Sequence, residues 1–242
     1  MKAMILAAGL GTRLKPFTDR HPKALAEVNG KNLLGRNIIY LQQFGIKEVI
    51  VNVHHFADQI IEAVKRYNGW GSKITISDEQ DEVLETGGGL VKAAHYFKNE
   101  EFFVLMNVDI LTNLDLSKMI TAQQKNNPLA TLAVSNRVSS RCLLFNEQQQ
   151  MMGWKNNSTS EEKGPILFLK DRTAIHPMAF SGIHIINKSI FPLIERTGKF
   201  SMIDLYLDIC GKHIIQGYDH SGDVFIDVGK PESLEIAAQY FS

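Results

Sequence analysis

Near the amino terminus, Gly9-Leu10-Gly11-Thr12-Arg13 follows a short apolar run from Lys2 to Ala7. A loop at the carboxyl end of a buried strand can turn bare backbone N–H groups onto phosphate oxygens, and glycine lets the anion come close. Arg13, Lys15, Arg20 and Lys23 then place four cations within eleven positions of a chain whose formal net charge is zero. Pro16 and Pro22 restrict the loop that carries them. A local excess of this kind, set in a glycine loop, points to a polyphosphate cradle. Two familiar phosphate loops do not fit. A dinucleotide fingerprint needs Gly or Ala at the sixth position, where Leu14 stands, and an acidic residue about 20 positions on. A Walker loop needs G-x-x-x-x-G-K-[ST], and the chain from Gly9 reads otherwise.

Further candidates lie downstream. Glu85-Thr86-Gly87-Gly88-Gly89 costs backbone entropy unless something must approach closely, as a flat base or ribose would; alone, it reads as a surface loop. Asn107-Val108-Asp109 ends the apolar run Phe102 to Met106, at the strand end where open α/β sheets bind ligands, and Asp109 is the natural metal carboxylate there. Asp115 is available to cap the helix that follows. Phe225-Ile226-Asp227 places a second aspartate at a strand end before a helix opened by Pro231. His54 and His55 are adjacent, so on an extended chain they project in opposite directions and do not form a ligand pair. His184, on an alternating strand, reads as a core or rim residue.

The elements that must position these residues follow from periodicity. Strands are expected at Lys2 to Ala7, Glu48 to Val53, Ile74 to Ser77 and Phe102 to Met106. Between them, helices are expected from Leu33 to Phe44 with Gly45 as cap, from Asp58 to Tyr67 and from Gly89 to Phe97. This alternation implies a parallel sheet covered on both faces. After Leu129 the order changes to strand-like runs at Thr131 to Ser135, Leu143 to Asn146, Ile166 to Leu169 and Ala179 to Ile186, a mixed or antiparallel half. Gln148 to Gly164 reads as a surface loop or hairpin, and helices are expected over Leu205 to Gly211 and Pro231 to Tyr240.

Composition narrows the class. The chain has 242 residues, 26 basic and 26 acidic side chains and 44% apolar residues, which suits one large α/β domain with a sizeable core. Zero net charge supplies no bulk field for nucleic acid or an anionic membrane. No apolar run reaches the ~20 residues that span a bilayer, and the start passes into Gly-Leu-Gly-Thr-Arg without a small-x-small cleavage site. Cys142 and Cys210 form no paired framework. The expectation is a cytoplasmic protein, monomer or homodimer, with reduced thiols and neither nucleic-acid nor membrane partners.

The run Leu6-Ala7-Ala8-Gly9-Leu10-Gly11-Thr12-Arg13-Leu14-Lys15-Pro16-Phe17-Thr18, continued by Pro22-Lys23-Ala24-Leu25, resembles the signature of the sugar-1-phosphate nucleotidyltransferases. Leu84 to Gly89 is especially similar to the N-acetylmuramate 1-phosphate uridylyltransferases and their relatives. The resemblance implies a Rossmann-like mixed, mostly parallel α/β sheet flanked by helices, of the nucleotide-diphospho-sugar transferase type. It implies one nucleotidyltransferase domain over residues 1–242, with a nucleotide-binding half to about residue 128 and a sugar-binding half from about 129. The reaction would join a nucleoside triphosphate, UTP by preference, to a sugar 1-phosphate with release of pyrophosphate, using Mg2+.

Carried over residue by residue, Arg13 would grip the β- and γ-phosphates and Lys23 the α-phosphate, while Ala8, Gly9, Gly11 and Thr12 lie against the nucleotide. Gly87 and Gly88, with Glu85, would meet base and ribose. Asp109 and Asp227 would share the metal, delivered by neighbouring parallel strands to one sheet edge. Two such carboxylates repel unless a cation lies between them, and magnesium accepts one or two carboxylates beside water and phosphate oxygens. Ser181 and Gly182, in Phe180-Ser181-Gly182-Ile183-His184, would contact the sugar.

Three positions depart from the pattern. Val108 stands where Gly is usual, Asn32 where Pro is usual, and Glu162-Lys163-Gly164-Pro165 only partly echoes the Glu-x-Lys-Pro whose lysine commonly holds the sugar phosphate. If that echo is a mere hairpin end, another cation must hold that phosphate. Rival readings are a guanylyl- or other transferase acting on mannose or heptose 1-phosphate, a non-catalytic nucleotide-sugar sensor, which loss of either aspartate would favour, and a nicotinamide oxidoreductase, which the failed fingerprint disfavours.

Overall fold

Alternation along the first strand sets the architecture. In the computed structural model, which describes residues 1–79 and 82–241, β1 (Ala3–Leu6) turns Ala3 and Ile5 to one face and Met4 and Leu6 to the other, all buried. Both faces must therefore be covered. Chain order continues with β2 (Glu27–Val28), β3 (Lys31–Asn32), α1 (Leu33–Gln43), β4 (Glu48–Val53), α2 (Ala57–Arg66), β5 (Lys73–Asp78), α3 (Glu85–Ala93), β6 (Phe102–Asn107), β7 (Ile110–Thr112) and α4 (Leu116–Asn126). The second half holds β8 (Ala130–Ser135), β9 (Arg141–Phe145), β10 (Met151–Asn156), β11 (Glu162–Lys163), β12 (His176–Asn187), α5 (Met202–Ile209), β13 (Ile215–Asp219), β14 (Phe225–Asp227) and α6 (Pro231–Tyr240).

Ten strands form one sheet in the order β11-β10-β9-β12-β6-β1-β4-β5, with β8 beside β12 and β13 beside β8. Strands β1, β4, β5 and β6 run parallel, β13 is parallel to β8, and β12 runs antiparallel to β6, β8 and β9. The sheet is mixed and continuous through both halves of the chain. Leu34, Ile38 and Leu41 of α1, Ala57 and Ile60 of α2 and Leu116 and Met119 of α4 pack on one face. Leu90 and Ala93 of α3 and Met202, Leu205, Tyr206 and Ile209 of α5 cover the other. A fully buried Leu or Ile contributes roughly 1.5–3 kcal/mol, so this repeated helical spacing holds the sheet edge in place. Side chains cap three of the α-helices: Asn32 accepts from the Gly35 N–H at 2.7 Å, Asp115 from the Ser117 N–H at 3.1 Å, and Ser201 from the Asp204 N–H at 3.1 Å.

Three expectations change. The helix expected from Gly89 begins at Glu85, so the glycine triplet lies inside α3 rather than in a loop. Ile166 to Leu169 is no strand; Pro165–Phe168 forms a 3-10 turn, opened by Gly164 at φ +96° and by Pro165, which cannot donate to a ladder. Gln148 to Gly164 takes the hairpin form of the expectation, with β10 and β11 paired antiparallel. Asp227 ends β14, which pairs antiparallel with β7 in a separate two-stranded ribbon, not with a parallel strand of the main sheet. Among the described residues no helix is long and apolar enough to cross a membrane.

Candidate nucleotide and metal site

The loop after β1 is fastened from behind. The Ala7 N–H donates to the Asn52 side-chain oxygen at 2.7 Å, and the Asn52 amide nitrogen donates to Glu79 at 2.8 Å. Gly11, at φ +63°, closes the turn: its carbonyl accepts from the Leu14 N–H and the Thr18 hydroxyl, each at 2.9 Å. A Cβ there would lie 2.8 Å from Thr18 Cγ2 and 3.1 Å from Lys23 Cβ, so only glycine fits both the backbone and the space. Gly9, by contrast, faces open space. Glu79 is fully buried, its second oxygen has no partner among the described residues, and burial raises its carboxyl pKa.

In front of this loop lies a cleft of about 480 Å³. Ala8, Gly9, Gly11, Thr12, Arg13, Lys23, Glu85 and Asp109 line it, so most of the residues expected at the nucleotide converge. Asn52, Thr86, Asn107, Lys199 and Ser201 line it as well. Of these, Asn52 carries a sequence signal, a polar residue within the apolar strand Val49 to Val53. Lys199 and Ser201 carry none, because they arrive from a loop more than a hundred positions away and pack on the start of α3. There Lys199 Nζ pairs with Glu85 at 3.6 Å, Thr86 Oγ1 accepts from the Met202 N–H at 2.8 Å, and Phe200 O accepts from the Gly87 N–H at 2.9 Å.

Gly87 and Gly88 are buried behind the cleft and do not line it. A Cβ on Gly87 would lie 2.3 Å from Phe200 Cε2, and one on Gly88 would lie 2.2 Å from the Gly198 carbonyl oxygen. Close protein packing therefore explains these two glycines.

Two cation–carboxylate pairs stand at the cleft. The Lys23 ammonium bonds Asp109, and these side chains are 11% and 17% exposed; Arg13 Nη2 lies 3.7 Å from Asp227 Oδ2, with 57% and 44% exposure. Both members of the first pair line the cleft; of the second, Arg13 lines it and Asp227 lies outside the lining. The ribbon brings the aspartates together: Asp227 is in register with Ile110, and the Val228 N–H donates to the Asp109 carbonyl at 2.8 Å. Burial raises the Asp227 carboxyl pKa, and the charge of Asp109 raises it further, while Lys23, Arg13 and Arg137 oppose the shift. Val108 keeps the strand end in place through its N–H to Leu6 and its carbonyl to Asn37.

Ser181 and Gly182 sit at a register shift in β12, with Gly182 at φ +71°. Ser181 is fully buried, and its hydroxyl meets Arg137 and His220 rather than the cleft. His184 is buried beside Tyr206, whose hydroxyl lies 2.8 Å from Nδ1, and burial lowers its pKa to about 3. His54 bonds the Glu79 carbonyl at 2.6 Å, and His55 lies against Phe56.

A nucleotidyl transferase family model matches residues 2–141. The N-acetylmuramate alpha-1-phosphate uridylyltransferase of Caulobacter vibrioides is 31% identical over 242 residues, covering 98% of this chain and 95% of that one. The D-glycero-alpha-D-manno-heptose 1-phosphate guanylyltransferase of Campylobacter jejuni is 31% identical over 232 residues, covering 96% of each. Among solved structures, HddC from Yersinia pseudotuberculosis complexed with GMP-PN is 27% identical, with a TM-score of 0.78 over 100% of this chain and 99% of that one. With Arg13, Lys23 and Asp109 gathered on a glycine loop at the end of a mixed sheet, the chain belongs to the nucleotidyl transferase family.

Proposed function

We propose that this chain joins a nucleoside triphosphate to a sugar 1-phosphate, giving a nucleotide sugar and pyrophosphate. The observation that carries the reading is the convergence of Arg13, Lys23 and Asp109 on a cleft lined by a glycine loop, with Asp227 paired to Arg13 just beside it. An oxygen of the sugar phosphate attacks the α-phosphorus, the new P–O bond forms in line with the departing oxygen, and pyrophosphate leaves with the electron pair. No covalent nucleophile is required, so the protein's contribution is positioning and charge neutralisation. Lys23 is placed deep enough to hold the α-phosphate, and exposed Arg13 can swing from Asp227 to the leaving phosphates.

The donor set fits a hard divalent cation. Asp109 and Asp227 offer only carboxylate oxygens; burial and then the charge of Asp109 raise the Asp227 pKa, and a cation between the two would relieve the second of these. A bound magnesium ion would supply positive charge against the phosphate oxygens of both substrates. The chain's own part is to hold the two carboxylates near each other, and Lys23 and Arg13 oppose the shift on Asp227.

UTP is the first choice of donor because of the likeness to the Caulobacter uridylyltransferase. GTP is the second reading, favoured by the Campylobacter guanylyltransferase and by the GMP-PN complex of the Yersinia structure. The test is a pyrophosphate-release screen of the four ribonucleotides and thymidine triphosphate against N-acetylmuramate, glucose, mannose and heptose 1-phosphates. Release with one donor and one sugar phosphate supports the reading, and a purine preference moves the donor assignment to GTP. No release from any pair rejects it.

A further inference from the structure

The second half of the chain supplies a cation that no carboxylate neutralises. Arg137 lies just beyond β8. One guanidinium nitrogen donates to the Ser135 and Ser181 hydroxyls at 2.8 and 2.9 Å and to the Ala179 carbonyl at 3.3 Å, and the other terminal nitrogen donates to the Phe180 carbonyl. All four acceptors are neutral, and Arg137 forms no ion pair among the described residues. Its guanidinium sits 4.1 Å from the centroid of the Phe225 ring. Phe225 and Asp227 are two apart on β14, so their side chains leave the same face of the strand, about 7 Å apart. Arg137 is thus aimed along the face that carries Asp227, and its charge is felt there.

Two other cations of this half are already engaged. On the outer strands, Lys155 pairs with Glu162 at 3.3 Å and Lys163 with Glu161 at 3.2 Å. The partial Glu-x-Lys-Pro echo is therefore a hairpin end whose lysine has its own carboxylate. Arg137 is instead held rigidly from behind. A guanidinium can only donate, so the Ser181 oxygen accepts from Arg137, and His220 Nε2 holds the same hydroxyl from 2.7 Å away. The other ring nitrogen of His220, Nδ1, lies 3.8 Å from Asp223.

We propose that Arg137 is a binding residue for the phosphate of the acceptor sugar 1-phosphate, and that Ser181 and His220 are positioning residues that orient its guanidinium. This rests on the nucleotidyltransferase reading of the cleft. A planar fork of N–H donors matches the tetrahedral oxygens of a phosphate, and a half-buried, unpaired guanidinium beside Asp227 is placed where the acceptor must arrive. Ser181 acts through Arg137 rather than on the sugar itself.

The experiment compares wild type with Arg137→Gln, Arg137→Lys and Ser181→Ala, using the donor and the sugar 1-phosphate that give the fastest pyrophosphate release. Losing charge-assisted hydrogen bonds of this type corresponds to roughly a 10- to 100-fold change. Arg137→Gln is expected to raise the KM for the sugar 1-phosphate by that factor and leave the KM for the nucleotide within about twofold. Arg137→Lys and Ser181→Ala should raise the same constant by less. Equal rises in both KM values, or an unchanged acceptor KM in Arg137→Lys and Ser181→Ala, overturn the proposal even if Arg137→Gln does not fold.

A second arm needs no turnover: the rise in melting temperature produced by an excess of mannose 1-phosphate, glucose 1-phosphate or inorganic phosphate. Wild type should be stabilised and Arg137→Gln should not. No stabilisation of wild type, or equal stabilisation of both, overturns the contact while leaving pyrophosphate release to stand. Stabilisation that depends on Arg137 in a protein releasing no pyrophosphate removes the transferase reading instead.

Discussion

Adding one methyl group at Gly88 separates packing from ligand contact. A Cβ there would stand 2.2 Å from the Gly198 carbonyl oxygen and 3.0 Å from Leu84 Cβ. The nearer neighbour is backbone, so the segment 198–200 must move by about 1 Å for ordinary van der Waals separation to be restored. Overpacking of this severity costs about 2–3 kcal/mol, and replacing Gly by Ala inside a helix returns about 1 kcal/mol. The net loss is about 1–2 kcal/mol, or about 2–8 °C in Tm for a domain of this size. The displaced segment also carries Lys199, so the KM for the nucleotide should rise as well. Differential scanning fluorimetry and steady-state kinetics on Gly88→Ala measure both. Gly9→Ala is the control, because its Cβ meets nothing within 4 Å. It should stay within about 0.5 kcal/mol of wild-type stability while losing turnover, since Gly9 lines the cleft. A Gly88→Ala protein that melts at or above wild type, as helix propensity alone would give, refutes the packing explanation.

Arg13→Ala is expected to lower turnover by about 10²–10³, the usual cost of one preorganised donor, with little change in Tm because the side chain is 57% exposed; near-normal turnover in a folded variant removes Arg13 from the site. Asp227→Asn should abolish turnover yet melt above wild type at neutral pH, since the folded protein holds this carboxyl with a raised pKa and so favours its neutral form. The Tm gap should close as acid protonates the wild-type side chain, and a variant less stable than wild type at neutral pH contradicts the shift. With both aspartates acting through one ion, Asp109→Asn,Asp227→Asn should turn over little worse than either single variant, and additive losses would separate their roles. His184 titrates near 6.5 when unfolded and at about 3 when folded, so its contribution is intact above pH 6.5 and is lost on acidification at up to ~1.4 kcal/mol per pH unit. Urea unfolding of His184→Gln between pH 6.5 and 4 should show a shallower loss than wild type, and identical slopes would contradict burial of a neutral imidazole.

The parallel half of the fold was legible because its strands are buried on both faces and its helices repeat apolar residues at helical spacing, as in Leu34, Ile38 and Leu41. Local chemistry located the glycine loop and the aspartate just beyond β6. What escaped depends on distant partners. The glycine triplet reads as loop-forming, but segment 198–200 packs so tightly on α3 that side chains are excluded there, and the helix runs through. Asp227 follows an apolar run like a central strand, yet three residues suffice only for a ribbon with β7, a pairing invisible without register. Ser181 resembles a sugar contact until the bulge at Gly182 turns its hydroxyl towards Arg137 and His220. Arg137 itself sits in Ser135-Asn136-Arg137-Val138-Ser139, with nothing in its spacing to mark it.

Phosphorus NMR of the protein with magnesium, UTP or GTP, and each sugar 1-phosphate tests nucleotidyl transfer at this cleft most directly. The expected result is that nucleotide-sugar and pyrophosphate resonances grow in equal amounts as triphosphate and sugar phosphate decline, and that neither grows with Asp109→Asn or after chelation by EDTA. Triphosphate consumed to free nucleotide and phosphate without a nucleotide sugar, or equal product from Asp109→Asn and wild type, would contradict it.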